Sequence, residues 1–396
     1  MALRAGTTDR ANWGPSADAA SDLRVVKAHA DGRSPERVAA EALERLKDSP
    51  DADDPDVAIV LASVDLCTPR AFDVLQDGLG RVPLIGCSTF AQIVDGEEHA
   101  SGIAIATLRS RQAHFRAFSA YDIEADPEGH AQDLADSIVE ECDAPVALLV
   151  LADGFGQGAE TFVQRLGLLL PSRVKIAGAL ACGDPAVGRS YQVHGERMMT
   201  RGAVVLAIDG KVRAAADSAH GLIGLGRTSA VSEARGTTLV ALDDAPAVDL
   251  YRRYLGERVE ELPAIGEVYP LGFGKPGIPP LIRTVRNVDW GEGSLELSGP
   301  VEAGTEARVM LAQRDTLLRE ARRLGESLRR RFDRAAGFAL VFPYAARRAV
   351  FAEDRRGEAA CLLEALAPTQ GALGFHSSSP LGKDGAVGSA VSVLAV

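Results

Sequence analysis

The chain has 396 residues, 46% of them hydrophobic and 25% charged, with a formal net charge of −12. That length is enough for two domains with ordinary cores, while the acidic balance repels phosphate backbones and argues against nucleic-acid binding. Five cysteines, at 67, 87, 142, 182 and 361, are odd in number, far apart and without a C-x-x-C pair; they read as free thiols of a reducing compartment, not as a disulfide framework or a thiolate metal site.

Residues 1–22 form a polar tail without the apolar segment of a signal peptide. No apolar run reaches the ~18 residues of a membrane helix, so the expected setting is cytoplasmic, with no membrane insertion. Three segments then repeat one pattern. "DVAIVLAS" (56–63), "PRAFDVLQDGL" and "VPLIG" read as strand, helix and strand, ending at Gly86. "PVALLVLADG" (145–154), "AETFVQRLGLLL" and "VKIAG" end at Gly178, and "GFALVFPYA" (337–345), "GEAACLLEALAP" and "GALG" end at Gly374. Continuous Val/Ile/Leu/Ala runs predict strands buried on both faces, and ~30 residues is the size of a β-α-β unit with parallel neighbours.

The connecting regions differ. Alternation and an Asp-Gly pair in "RGAVVLAIDGKVRAAADSAHG" (201–221) predict a β-hairpin. Residues 282–311 read as meandering antiparallel strands, with "WGEGS" as a turn, and 262–281, dense in Gly and Pro, as a loop or flap. "RDTLLREARRLGESLRRRF" (314–332) has the apolar spacing of an amphipathic helix with a basic face, either solvated or a dock for an acidic partner. The fold class expected is α/β: mixed sheets built from three β-α-β-like units ending in Gly, plus antiparallel hairpins, in two intimately packed domains.

Small and polar residues follow each of the three glycines. Cys87, Ser88 and Thr89 come after Gly86, Gly183 and Asp184 come shortly after Gly178, and His376, Ser377 and Ser378 come just after Gly374. A strand-ending Gly permits unusual backbone angles or a close backbone approach, and strand ends are where α/β proteins place ligands. Cys87 as a nucleophile lacks a sequence-paired base and the second glycine of a nucleophile elbow. "DGFGQGAE" (153–160) has the wrong glycine spacing for a dinucleotide fingerprint and reads better as a tight turn with a helix cap. His220 and His376 stand in the most site-like contexts, yet no His/carboxylate spacing marks a metal site.

These residues resemble the FIST family of sensory proteins. "LIGCSTFAQI" is similar to that family's G-C-S-T-x-G-E-I segment, and "VKIAGALACGDPAVGRSYQVHGERMMTRGAVVLAID" to its second glycine-rich segment. "ALDDAPAVDLYRRYLG", "VYPLGFG" and the closing "GALGFHSSSPLG" follow in the family's order, and the likeness spans roughly residues 24–385. Departures are Gln92 where the family has Glu, no closing Tyr and Glu, and "FPYAARR", which keeps Arg347 or Arg348 without the family's Cys. The resemblance implies a FIST N-terminal-type domain over 23–223 and a C-terminal-type domain over 224–396. It implies a non-enzymatic, cytoplasmic bacterial sensor of a small polar ligand such as an amino acid, acting in trans on a histidine kinase or diguanylate cyclase.

The expected lining is Gly86, Cys87, Ser88, Thr89, Gly178, Gly183, Asp184, Arg347, Gly374, His376, Ser377 and Ser378, with no cofactor and no metal. Two alternatives stand beside it. One is a haem-based nitric-oxide sensor with His220 or His376 as axial ligand, and the other an enzyme using Cys87.

Overall fold

The structure, a computed structural model, describes residues 22–80, 82–184, 188–275, 280–333, 335–351 and 357–396, the side chain of Asp184 excepted. Residues 1–21 of the expected polar tail lie outside that set.

All three expected β-α-β segments form, and each sits inside a longer unit with one order of elements: leading strand, helix, first strand, helix, second strand, hairpin, return strand. The first unit runs through Arg24–Ala30, Pro35–Lys47, Val57–Ser63, Pro69–Leu79, Leu84–Thr89, Gln92–Val94 with Glu97–His99, and Ile103–Arg109. The second runs through Ala113–Ala120, Pro127–Glu141, Pro145–Ala152, Gly158–Leu169, Lys175–Leu180, Gln192–His194 with Arg197–Met199, and Ala203–Gly210. The third runs through Ala215–Ala219, Arg314–Arg329, Ala339–Pro343, Glu358–Leu366, Ala372–Phe375, Pro380–Gly382 with Gly385–Ala386, and Val391–Ala395. Local chemistry sets the helix starts: Pro35, Pro69 and Pro127 stand in first turns, and the Thr68 and Asp126 side chains accept from the backbone N–H of Ala71 and Gly129.

Each unit's sheet has the order leading, return, first and second strand, and is then completed by a hairpin from another unit. The first unit's hairpin pairs with Ala372–Phe375, the second's with Leu84–Thr89, and the third's with Lys175–Leu180. This cyclic exchange ties the units into a ring. It also explains the recurring glycines. Gly86, Gly178 and Gly374 pair with Val60, Val150 and Val341 on one side, and with Val193, Leu381 and Ile93 of the foreign hairpin on the other. A Cβ on them would lie 2.4, 1.8 and 1.8 Å from the carbonyl oxygens of Val60, Val150 and Val341. Close approach, not an unusual φ, is what these positions require.

The strands read as continuous apolar runs because both faces are buried. Val57, Ile59 and Leu61 face a core shared by all three sheets, together with Leu149, Leu151, Leu340 and Phe342, whereas Ala58, Val60 and Ala62 pack under the first unit's helices.

Between Ala215–Ala219 and Arg314–Arg329 the third unit carries an antiparallel module, residues 223–311, with its own core around the fully buried Tyr251. The expected meander over 282–311 lies there. The hairpin expected over 201–221 does not form. Ala203–Gly210 pairs with Ala113–Ala120 and Pro145–Ala152, while Ala215–Ala219 crosses to Val391–Ala395 in another sheet. The Asp209 carboxylate, which suggested a turn, instead accepts the backbone N–H groups of Asp143 and Ala144. No helix among the described residues is long and apolar enough to cross a membrane.

Candidate functional site

The three glycine-ended strands do meet. The Ser88 hydroxyl donates to the Cys182 carbonyl at 2.5 Å and accepts the Tyr191 N–H at 2.8 Å, and the Cys182 N–H donates to the Ser88 carbonyl. The Ser377 hydroxyl donates to the carbonyls of Leu180 and Ser379, the Ser378 hydroxyl to Ala181, and the Cys182 thiol to the His376 carbonyl. Thr89 donates to the Ala62 carbonyl and accepts from Gln92. The meeting point is a buried seam in which Cys87, Ser88, Thr89 and Ser377 are engaged with protein. These residues tie the units together, and none of the four is in the lining of the two cavities described below. Gly183 lies against the Arg189 backbone, where a Cβ would stand 1.7 Å from its carbonyl oxygen; the Asp184 side chain lies outside the described residues.

A groove of about 1520 Å³ opens beside this seam, where the first unit's hairpin meets the third unit. Arg347 and His376 of the expected set reach it, and the structure adds Glu98, Arg348 and Glu358. Arg347 follows the third unit's first strand in a 3-10 turn, Glu358 begins the next helix, and Glu98 stands on the imported hairpin. Arg347 donates to the His220 carbonyl at 2.7 Å and lies 3.2 Å from the Glu358 carboxylate, both side chains being almost fully buried. His376 Nε2 lies 2.8 Å from Glu98, whose other oxygen pairs with Arg348; Arg348 also stacks over Phe90. Three polar atoms in this cluster have no hydrogen-bond or ion-pair partner among the described residues, Arg347 Nε and Nη1 and His376 Nδ1, whereas Glu358 Oε2, also without a hydrogen bond, is the oxygen that faces Arg347 Nη2. Buried polar atoms are nearly always paired, so each such exception points to strain, solvent or a ligand.

Burial pushes the Glu358 carboxyl up, opposed by Arg347 and His376. Burial also pushes Glu98 up, but the hydrogen bond and charge of His376, with Arg348, overcome it and hold the group at about 2. A carboxylate depressed in the folded state adds stability that is present above its unfolded value and lost on acidification. Stability should therefore fall as pH drops from about 4.5 towards 2, and Glu98→Gln should remove that part of the loss in urea unfolding followed across the range.

A second cavity, about 610 Å³, lies where the second unit's hairpin meets the first unit, between Leu84, Phe115 and His194. It is the topological counterpart of the groove. Its lining includes one buried polar atom without a hydrogen-bond partner among the described residues, Gln76 Oε1, and no buried charged side chain like Arg347.

Cys87 is fully buried, faces the shared core, and burial raises its thiol well above the usual range. Cys67, Cys142 and Cys182 are buried and shifted the same way, leaving Cys361 alone partly exposed. Native protein should react rapidly with a thiol reagent at one cysteine per chain, and at five after unfolding. A fast-reacting Cys87 would contradict this packing.

His376 engages Nε2 with Glu98 amid charged walls. His220 accepts the Leu222 N–H at Nδ1 and lines neither cavity. Each histidine keeps one ring nitrogen without a hydrogen bond among the described residues, but the walls around His376 are charged, which does not suit the apolar face of a haem. Among the described residues no group of three or more His, Cys, Asp or Glu side chains is placed to hold a metal.

Among solved structures the fold is similar to a cyanuric acid hydrolase from A. caulinodans, at 11% identity over 50% of this chain and 73% of that one, with a TM-score of 0.28. A second cyanuric acid hydrolase structure aligns at 11% identity over 94% of this chain and 99% of that one, with a TM-score of 0.36. Likenesses this weak carry no argument about activity. No curated protein matches the sequence. The FIST N domain model matches residues 56–245 and the FIST C domain model residues 247–378. The chain belongs to the FIST family, whose domains are sensory signal-transduction domains.

Proposed function

We propose that the chain is a non-enzymatic sensor that binds a small polar ligand, such as an amino acid, in the groove beside Arg347 and reports to a separate signalling protein. A histidine kinase or diguanylate cyclase in the cytoplasm is the partner of that kind. The observation that carries the reading is Arg347. Its guanidinium is almost fully buried, lines the groove, and keeps two donors without a partner among the described residues. A buried donor left unmade costs about 1–3 kcal/mol, and a planar guanidinium matches a carboxylate. A carboxylate bound there would regain that cost. The burial of Cys87 supports a binding role over a thiol-dependent enzyme.

The test is calorimetric titration of amino acids into the full chain, with thermal shift as a screen. Saturable binding at one site per chain, lost in Arg347→Gln with the fold intact, is the expected result. Binding unchanged in Arg347→Gln would move the ligand away from the groove.

A further inference from the structure

Three helices hold the same place in the three units, each following the leading strand and covering its own unit's sheet, and they differ in charge. Pro35–Lys47 balances its own: Arg45 pairs with Glu41, and Glu36 lies 3.9 Å from Arg70. Pro127–Glu141 carries Glu128, Asp133, Asp136, Glu140 and Glu141 with no Lys or Arg. Arg314–Arg329 buries Leu317, Ala321, Leu324 and Leu328 and exposes Arg319, Arg322, Arg323 and Arg329, with Arg330 at its end. The side chains of Arg319, Arg322, Arg329 and Arg330 make no hydrogen bond or ion pair among the described residues, and the Glu326 carboxylate that stands among them makes none either. Asp133 and Glu140 likewise have no ion pair there. Like charges three and four apart on one helix destabilise it, so both stripes gain from a surface of the opposite sign.

We infer that the basic helix of one copy docks on the acidic helix of a second copy, head to tail. Arg322 and Arg329 stand seven residues apart, as do Asp133 and Glu140, a rise of ~10 Å along each helix, so two ion pairs can close at once. Val139, 61% exposed beside Glu140, meets the apolar stems of the arginines. Within one chain the two helices cover different sheets, and no hydrogen bond or ion pair joins them among the described residues. A second copy supplies the complement that one chain cannot apply to itself. The contact is heterologous, so copies add to one another in chains or rings. The net charge of −12 on each copy opposes their approach, but that repulsion is screened beyond ~10 Å in 0.1 M salt, whereas the helix pairs meet at contact. None of these residues lines the groove, so the contact stands or falls apart from the ligand reading.

Sedimentation velocity of the full chain over a concentration series reads the contact directly. In ~0.1 M salt the weight-average mass should rise with concentration, and in ~1 M salt the dissociation constant should be at least about 10-fold higher. Arg322→Glu with Arg329→Glu leaves a chain with two acidic faces, and Asp133→Lys with Glu140→Lys a chain with two basic ones. Each variant alone should stay monomeric, with an unfolding curve like the parent's, and an equimolar mixture of the two should associate again. Mixing repairs a lost charge match and does not repair a misfolded helix. A parent chain that stays monomeric at every concentration would overturn the inference. So would a variant that associates as the parent does, which would put the contact elsewhere, or a mixture that stays monomeric, which would assign the two faces to separate partners of opposite charge.

Discussion

Arg347→Ala should abolish binding in the groove and destabilise the fold by about 3–5 kcal/mol, the range for removing one partner of a buried ion pair. Glu358 is almost fully buried, and Arg347 is its only ion-pair partner among the described residues. Without the guanidinium its charge is uncompensated, so the carboxyl takes up a proton, and the His220 carbonyl loses the donor that Arg347 supplies at 2.7 Å. Stability loss and binding loss would then be confounded. The pair Arg347→Met with Glu358→Leu separates them, because replacing a whole buried ion pair by apolar groups is often neutral or stabilising. That double variant should recover most of the urea midpoint and still bind no carboxylate. Recovery of binding in it would show that the guanidinium is not the receptor.

Much of the fold was legible because the repeated element announces itself. Apolar runs buried on both faces, a helix with Thr68 before Pro69, and a glycine at a fixed place in each second strand are local signals. The cyclic hairpin exchange was not legible. Short hairpins such as Gln92–Val94 with Glu97–His99 carry no mark of which sheet they will join, and the Asp209-Gly210 pair imitates a turn while its carboxylate ties down a different loop. The site followed the same division. Hydroxyls after a strand end look like pocket lining, but Ser88 and Ser377 become inter-unit ties once three strand ends meet. Arg347 and His376 were visible as singular residues: six positions past the paired valine stand Leu66, Gly156 and Arg347, and two past the glycine stand Ser88, Leu180 and His376. Glu98 was hidden because the hairpin that carries it comes from the opposite end of the chain. Glu358 looks in sequence like an ordinary acidic residue in a helix's first turn.

Gly178→Ala and Gly374→Ala should each cost more than about 3 kcal/mol, the upper part of the range for overpacking a tight core. The added methyl would stand 1.8 Å from a carbonyl oxygen of the neighbouring parallel strand, where at least 3.0 Å is needed. The oxygen is main chain, so no side-chain rotation relieves the clash, and the two strands must part by more than an ångström. They cannot part freely, because the foreign hairpin holds the other side of each glycine. Gly86→Ala, at 2.4 Å, should cost less. Gly80→Ala is the control for backbone conformation alone: its φ is 75° and nothing lies within 4 Å, so about 1 kcal/mol is expected. Urea unfolding of the four variants should rank them in that order. If Gly178→Ala cost no more than Gly80→Ala, the strands would be separable and the ring would not be held at its glycines. The ring also predicts coupling. Once one seam is forced open, its hairpin no longer pins the next sheet, so Gly178→Ala and Gly374→Ala together should destabilise by less than the sum of the two.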